Sequence, residues 1–436
     1  MANFQKSQPG ILKKLKIDQL NPMQEEAKTA IANNNDVMLL SPTGTGKTLA
    51  FLLPLIDQLD PTLEEIQLLI LVPSRELAIQ INQVLREMGS GLKTNAVYGG
   101  KSGSKDRMEL KHRPAILVGT PGRVADHLRR HTFSSEYIKT LVLDEFDKSL
   151  EVGFEKEMKE ILSSLFNLEK RILTSATFGV EVPAFVGLKN LTTIDYLKEE
   201  GSNLQLVSVA SPSKDKLETL VKLLANLGEQ SGIIFCNFKE SIERVSSFLI
   251  ENEIPHACFY GGLDQLERER ALIKFRNGTH RIIIATDLAA RGIDVPELDY
   301  ILHYQLPPRK EEFTHRNGRT ARMNAKGTAY IIHWKEESLA DFIGPTEEMH
   351  LEDATAPSLP PWKTVFISGG RKDKISKGDI AGFFMKEGKL NKNELGVIEI
   401  KEDCAFAAVA AKKAFQTVKK LNNTRLKTKK VRISFL

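Results

Sequence analysis

The sequence predicts an α/β protein: two parallel-sheet domains in tandem, followed by a small α+β domain at the C-terminal end. Three observations carry this reading. Short apolar runs at Val37–Leu40, Leu68–Val72, Ala115–Val118, Leu141–Leu143 and Arg171–Leu173 alternate with longer helix-patterned stretches. A second series repeats the layout at Gly232–Phe235, Ala257–Tyr260, Arg281–Ala285, Tyr300–His303 and Ala329–Ile332. Runs this short and this uniformly apolar suit strands buried on both faces and joined by helices. Last comes a β–α–β–β–α–β pattern with strands at Thr364–Ser368, Val397–Ile400, Ala405–Val409 and Val431–Phe435.

The boundaries follow from breaks in that pattern. The polar segment Lys198–Lys216, with Gly201 and Pro212, is expected to contain a hinge near Asn203, which separates domains at 1–202 and 203–343. Residues 344–362 combine proline, small residues and acidic charge, as a linker would. The final domain, 363–436, has helices expected from about Lys377 and Ala410. Ala411, Ala414, Phe415, Val418 and Leu421 give the second of these an apolar stripe at three- and four-residue steps.

Composition narrows the class. A chain of 436 residues with 41% hydrophobic and 27% charged residues is ordinary for globular protein. No apolar run approaches the roughly 20 residues that cross a bilayer, and the first residues lack the layout of a secretion signal. Cys236, Cys258 and Cys404 are scattered and make no metal-ligand spacing, which fits a reducing cytoplasmic setting and no membrane. The net charge of +5 is unevenly spread: residues 363–436 hold 18 Lys and Arg against 7 Asp and Glu. So basic a tail predicts a polyanion partner.

The sharpest local signal is Ser41-Pro42-Thr43-Gly44-Thr45-Gly46-Lys47-Thr48, between a strand and the helix opening at Leu49. Glycines let backbone N–H groups close around phosphates, and the helix N-terminus favours an anion. Lys47 reaches the β and γ phosphates of ATP, and the Thr48 hydroxyl can ligate Mg2+. Ser41 stands where the general pattern has its first glycine. Asp144 and Glu145 follow the run Thr140–Leu143, at the strand edge where open α/β sheets place ligands. Asp144 can hold Mg2+, and Glu145 can orient and deprotonate the attacking water. In His315-Arg316-Asn317-Gly318-Arg319-Thr320-Ala321-Arg322, a helix would place His315, Arg319 and Arg322 on one face, with both arginines available as fingers to the γ-phosphate.

In the order of these motifs, the chain resembles the DEAD-box RNA helicases over residues 4 to about 335. The resemblance implies two RecA-like domains in tandem. Asn21-Pro22-Met23-Gln24 is similar to the family's adenine-reading motif, with Gln24 on the base edge and Phe4 as its aromatic partner. Pro73-Ser74-Arg75-Glu76-Leu77, Gly99-Gly100 and Thr120-Pro121-Gly122-Arg123 resemble RNA-contacting motifs, which implies RNA contacts from Pro73, Arg75, Gly100, Thr120 and Arg123. Ser175-Ala176-Thr177 resembles the element that links hydrolysis to domain movement, together with Asp147 and His315. Ile233–Asn237, Tyr260–Gly262, Gln265–Arg268 and Ala285–Asp294 match further segments, which implies RNA contact by Thr286 and nucleotide contact by Gly292 and Asp294. Two positions depart from the pattern: Phe146 stands where the family has alanine, and Ala321 where it has glycine. Neither removes a reacting group.

Lys374-Ile375-Ser376-Lys377-Gly378-Asp379-Ile380 resembles the RNA-binding domain of DbpA-type bacterial helicases, whose module recognises structured large-subunit ribosomal RNA. That implies a role in ribosome assembly. The sheet offers few aromatic stacking platforms, so recognition is expected from the loop at Arg371 and Lys372, from Lys374, and from a basic edge with Arg425, Lys427 and Arg432. The expected protein is a monomeric, ATP- and Mg2+-dependent RNA helicase without DNA specificity. ATP and single-stranded RNA would close its domains and bend the strand out of duplex geometry. An ATP-gated RNA clamp without productive unwinding would use the same motifs, and a DNA helicase or a purely structural RNA-binding protein are further rivals.

Overall fold

The computed structural model describes residues 7–436 apart from 43, 101–102, 152, 177–180, 198–203, 291–297, 319, 321–326 and 355–356. The described residues divide into two compact units, one within 1–202 and the other within 203–436.

The first unit is built on one seven-stranded sheet. Its strands are β1 (Asp36–Leu40), β2 (Leu68–Leu71), β3 (Thr94–Val97), β4 (Ile116–Gly119), β5 (Thr140–Leu143), β6 (Lys170–Ser175) and β7 (Leu191–Asp195), in the order β3-β4-β2-β5-β6-β1-β7. Every pairing is parallel. Val37, Leu68, Ile70, Val142 and Ile172 face one apolar core, and Leu69, Leu117, Leu141 and Leu173 face another. Both faces of the sheet are therefore dry, which explains why the strands read as unbroken apolar runs. Sequence periodicity missed β3 and β7, in which buried residues alternate or mix with partly buried and exposed ones.

The second unit holds a sheet of the same kind: β8 (Leu204–Ser211), β9 (Gly232–Phe235), β10 (His256–Phe259), β11 (Ile282–Ala285), β12 (Tyr300–His303), β13 (Gly327–Trp334) and β14 (Glu347–Glu348), in the order β10-β11-β9-β12-β13-β8-β14. Two expectations are corrected here. The segment read as polar hinge contains the eight-residue strand β8, paired along its whole length with β13. Its alternation Leu204, Leu206, Ser208 hid it, because serines at buried positions look like loop. The expected free linker is also strapped down: β14 joins the sheet edge, Met349 and Leu351 pack on the second core, and Asn226 Nδ2 donates to the Glu352 carbonyl at 3.0 Å.

The small domain has β15 (Trp362–Ile367), β16 (Leu395–Ile400), β17 (Ala405–Ala410) and β20 (Ile433–Phe435) in the antiparallel order β16-β17-β15-β20, with β18 (Thr424–Leu426) and β19 (Lys429–Val431) forming a side hairpin. The helices Lys377–Lys386 and Ala411–Leu421 cover one face, over Val365, Ile367, Ala407 and Val409. Ser376 and Asp379 start the first helix with a reciprocal cap. Val431–Phe435 is thus not one strand, since the chain leaves the hairpin at Val431 and enters the sheet at Ile433.

The preceding parallel-sheet domain covers part of the other face of this sheet. Thr364 meets Thr279 Oγ1 at 2.7 Å and accepts from Asn277 Nδ2 at 3.3 Å. Arg276 donates twice to Glu399 Oε2, at 2.8 and 3.2 Å, and Lys401 bridges Glu399 and Glu269 at 2.8 Å each. Trp362 lies so close to Gly278 that a Cβ there would sit 3.2 Å from its ring. The aromatic pair Phe366–Phe406, with centroids 5.7 Å apart, sits on this covered face, and Phe406 is buried.

Candidate nucleotide and RNA site

In the first sheet β5, β6 and β1 are adjacent, so the loops that leave their C-terminal ends lie side by side at the point where strand order reverses. The phosphate loop follows β1. Lys47 opens the helix Lys47–Ile56 and is buried, with its ammonium donating to the carbonyls of Ser41 at 2.5 Å and Pro42 at 2.7 Å. Thr45 Oγ1 meets Ser41 Oγ at 2.7 Å and donates to the Pro42 carbonyl. Ser41, in the place of a glycine, thus braces the loop. Gly46 is required twice over: its φ is +88°, and a Cβ would lie 2.4 Å from Gln24 Nε2.

Gln24 and Asn21 lock that loop from the side. Asn21 caps the helix Pro22–Asn33 in a reciprocal box with Gln24, and its Nδ2 donates to the Thr45 carbonyl at 3.0 Å. Gln24 Nε2 donates to the Gly46 carbonyl at 3.3 Å. The amide expected on the adenine edge therefore touches the phosphate loop as well. In the sequence Asn21 reads as part of the adenine-reading motif with no capping role, although an asparagine just before proline at a helix start is a strong capping signal.

Asp144 and Glu145 leave β5 beside this loop. Thr174, the penultimate residue of β6, donates through its hydroxyl to Asp144 Oδ1 and accepts from the Glu145 N–H at 3.1 Å. Glu145 has φ +49°, a conformation that costs a non-glycine residue energy and is retained where neighbours impose it. Burial, then repulsion from Glu145, push the Asp144 carboxyl up to about 6. A buried carboxylate beside a second carboxylate is a site where a divalent cation would relieve both desolvation and repulsion. Asp147 pairs with Lys148 at 3.1 Å. Phe146 fills the core beneath, only 1% exposed among Leu143, Ile161 and Leu173, so the ring in place of alanine is accommodated by packing. Ser175 is buried and its carbonyl accepts from the Ser41 N–H at 3.1 Å, joining the β6 end to the phosphate loop. Phe4, Thr43 and Thr177 lie outside the described residues.

The RNA-motif residues of this unit form two clusters. The Arg75 guanidinium packs over Gly99 and Gly100, where a Cβ on Gly100 would come within 2.7 Å. Pro73 and Thr120 are buried at the strand ends. Arg123 is already engaged: it binds the buried Asp106 at 2.9 Å and Asp126 at 3.3 Å.

In the second unit the ends of β11, β9 and β12 are gathered by a residue the sequence reading passed over. Arg316, 1% exposed, forms a two-pronged pair with Asp287 and donates to Asn237 Oδ1 at 2.7 Å and the Gln305 carbonyl at 2.6 Å, its guanidinium over the Phe235 ring. Thr286 directly precedes Asp287 in the chain. His303, neutral because burial and then Arg316 push its ring down to about 3, meets Asn317 at 2.9 Å. The expected one-face placement of His315, Arg319 and Arg322 falls largely outside the described residues. The helix is Lys310–Asn317, it ends at Gly318, and Thr320 turns to bond the Leu298 carbonyl. His315 is in its last turn, while Arg319, Arg322, Gly292 and Asp294 lie outside the described residues. On the small domain Lys374, Arg425 and Arg432 are exposed, and Lys427 is partly used in holding Asp379 and the Lys374 carbonyl.

A phosphate loop, an acidic pair with Asp144 buried at the end of β5, and a second sheet of like design define the class: an ATPase of two tandem parallel-sheet domains. Residues 21–185 match the DEAD/DEAH box helicase family, 215–324 the helicase conserved C-terminal domain, and 364–435 the DbpA RNA binding domain. The chain is 31% identical over 431 residues to the ATP-dependent RNA helicase DbpA of Escherichia coli, covering 96% of this chain and 94% of that protein. It is 28% identical to the DbpA of Bacillus subtilis, covering 94% of each. Among solved structures, Dbp5 of S. cerevisiae bound to RNA and ADP BeF3 superposes with a TM-score of 0.68 at 27% identity, over 76% of this chain and 88% of that one. The chain belongs to the DEAD-box ATP-dependent RNA helicases, and within them to those carrying a DbpA RNA-binding domain.

Proposed function

We propose that this RNA-dependent ATPase remodels structured ribosomal RNA during large-subunit assembly, in the cytoplasm and as a monomer. The four segments 1–202, 203–343, 344–362 and 363–436 serve as nucleotide-binding domain, partner domain, strap and RNA-binding module. Support for the RNA target is the match to a DbpA RNA binding domain and the 18-to-7 excess of basic over acidic residues in 363–436.

In the proposed chemistry the backbone N–H groups of Gly44 to Thr48 and the Lys47 ammonium bind the triphosphate, with Gln24 beside the base. Thr48 and Asp144 would hold Mg2+, which neutralises phosphate charge when bound. Glu145 orients water for in-line attack, held by Thr174 through its backbone N–H. Arg319 and Arg322 stabilise charge in the transition state. Thr174 and Ser175 link the acidic pair to the phosphate loop, with Asp147, Thr177 and His315 in the coupling of hydrolysis to movement.

The observation that carries this reading is the Asp144–Thr174–Glu145 arrangement at the strand end next to Lys47. Glu145→Gln should lower RNA-stimulated turnover by at least about 100-fold while ATP binding persists. Retained turnover would sink the assignment of the base. For the target, crosslinking in cells and sequencing should recover one ribosomal segment, lost when residues 363–436 are deleted.

A further inference from the structure

The helix Ala411–Leu421 does not bury the stripe its sequence promises. Ala414, Thr417 and Leu421 face the core, but Phe415 is 70% exposed. Residues at steps of three and four share a helix face, so Lys412, Phe415, Gln416 and Lys419 form one outward surface, and all four are exposed. Lys420 flanks it.

A single exposed aromatic is common on protein surfaces, and its charged surroundings distinguish this one. From Ala411 to Leu436 the chain has nine Lys and Arg and no Asp or Glu. Lys413, Lys427 and Lys429 lie against Glu394, Asp379 and Asp373. Among the described residues Lys412, Lys419 and Lys420 have no such carboxylate. An ordinary solvated helix face mixes both signs of charge; this one sets an apolar ring among cations that no carboxylate of the described residues pairs with. Meanwhile, of the sheet's aromatics, Phe406 is buried and Phe366 partly so, on the face against the preceding domain, while Phe435 on the edge strand is 44% exposed.

We propose that the outer face of the helix Ala411–Leu421 is a binding surface for single-stranded RNA, with a base stacked on Phe415 and flanking phosphates held by Lys412 and Lys419. Bases have π-faces whatever their identity, so such a platform takes a strand without reading its sequence. It lies on the opposite side of the sheet from the docked domain, and it serves the unpaired stretch that leaves a structured target. The proposal rests on the reading of the module as RNA-binding.

The test uses the full chain and two fluorescent RNAs, a blunt hairpin and the same hairpin with a single-stranded extension. Phe415→Ala should weaken binding of the extended hairpin by about tenfold and leave the blunt hairpin unchanged, while Phe415→Trp restores binding. Lys412→Ala with Lys419→Ala should reduce the salt slope for the extended hairpin by about 0.7 per lysine. If Phe415→Ala changes neither RNA, or both equally, the platform does not exist. Loss of concentration-dependent self-association in its place would assign the face to a second copy and overturn the proposal. Arg425→Glu with Arg432→Glu separates the two levels: weakening of both RNAs by that variant and of neither by Phe415→Ala rejects only the helix face. No effect of any variant on either RNA rejects the module's RNA-binding reading as well.

Discussion

Replacing Arg276 by alanine should loosen the RNA-binding module from the second parallel-sheet domain. Arg276 and Glu399 are each 21% exposed and joined by two hydrogen bonds to one carboxylate oxygen. At 2.8 Å and an effective dielectric near 20, unit charges attract by about 6 kcal/mol. Desolvation offsets most of that, and one-fifth exposure screens the pair further. Lys401 also stays 2.8 Å from Glu399, so truncation does not strand the carboxylate. The net cost should be about 2 kcal/mol, or roughly 30-fold in the docking equilibrium. With Trp334→Phe as background, Trp362 against Gly278 becomes the only tryptophan, and its quenching by acrylamide reports undocking. A double-mutant cycle with Glu399→Gln should give a coupling of about 1–2 kcal/mol. Burial pushes the Glu399 carboxyl up, but Arg276 and Lys401 outweigh it and hold it below its ordinary value. A depressed carboxyl contributes its full stabilisation above the unfolded value of 4.5 and loses it as pH falls through the folded one. The coupling should therefore fade in acid. A coupling near zero at neutral pH, with Trp362 equally shielded in all four proteins, would refute the assignment of docking to this pair.

Phe146→Ala should cost about 3–5 kcal/mol in denaturant unfolding of the first domain, since it removes a fully buried ring; a loss under 1 kcal/mol would mean the core tolerates the family's alanine without rearrangement. Gly46→Ala should weaken ATP binding by about tenfold or more, because the new methyl meets Gln24 and the backbone is held at positive φ; calorimetric titration with a non-hydrolysable analogue measures it. Arg316→Lys keeps the charge but loses the fork, and should destabilise the second domain by about 3 kcal/mol. Unaltered unfolding would contradict the role of Arg316 as the knot of three loops.

What was legible in the sequence follows from where the physics is local. Buried parallel strands must be apolar on both faces, so the central strands showed themselves, whereas β3, β7 and β8, with partly polar faces, did not. Lys47, Thr48, Asp144 and Glu145 were legible because phosphate chemistry dictates their spacing from strand ends. The roles of Thr174, Asn21 and Arg316 were not read, because each residue matters through a partner brought close only by the fold: Asp144 from 30 residues away, Thr45 from 24, Asp287 from 29. Phe415 misled for the opposite reason. Its spacing fits an apolar stripe, and only packing shows that the core is already filled by Ala414, Val418 and Leu421.

The two parallel sheets use one design to different ends. In each, a buried cation sits at the C-terminal strand edge: Lys47 braces its own loop in the first, and Arg316 joins three loops in the second. Lys47 is a compact ammonium that donates to the carbonyls of Ser41 and Pro42. Bonds to ionised phosphate oxygens are roughly twice as strong as neutral ones, so a triphosphate can displace them. Arg316 is a rigid fork already matched to a carboxylate, an amide and a carbonyl, and no incoming anion improves on that set. A lysine suits a loop that must exchange partners with every nucleotide, and an arginine suits loops that are held in one register.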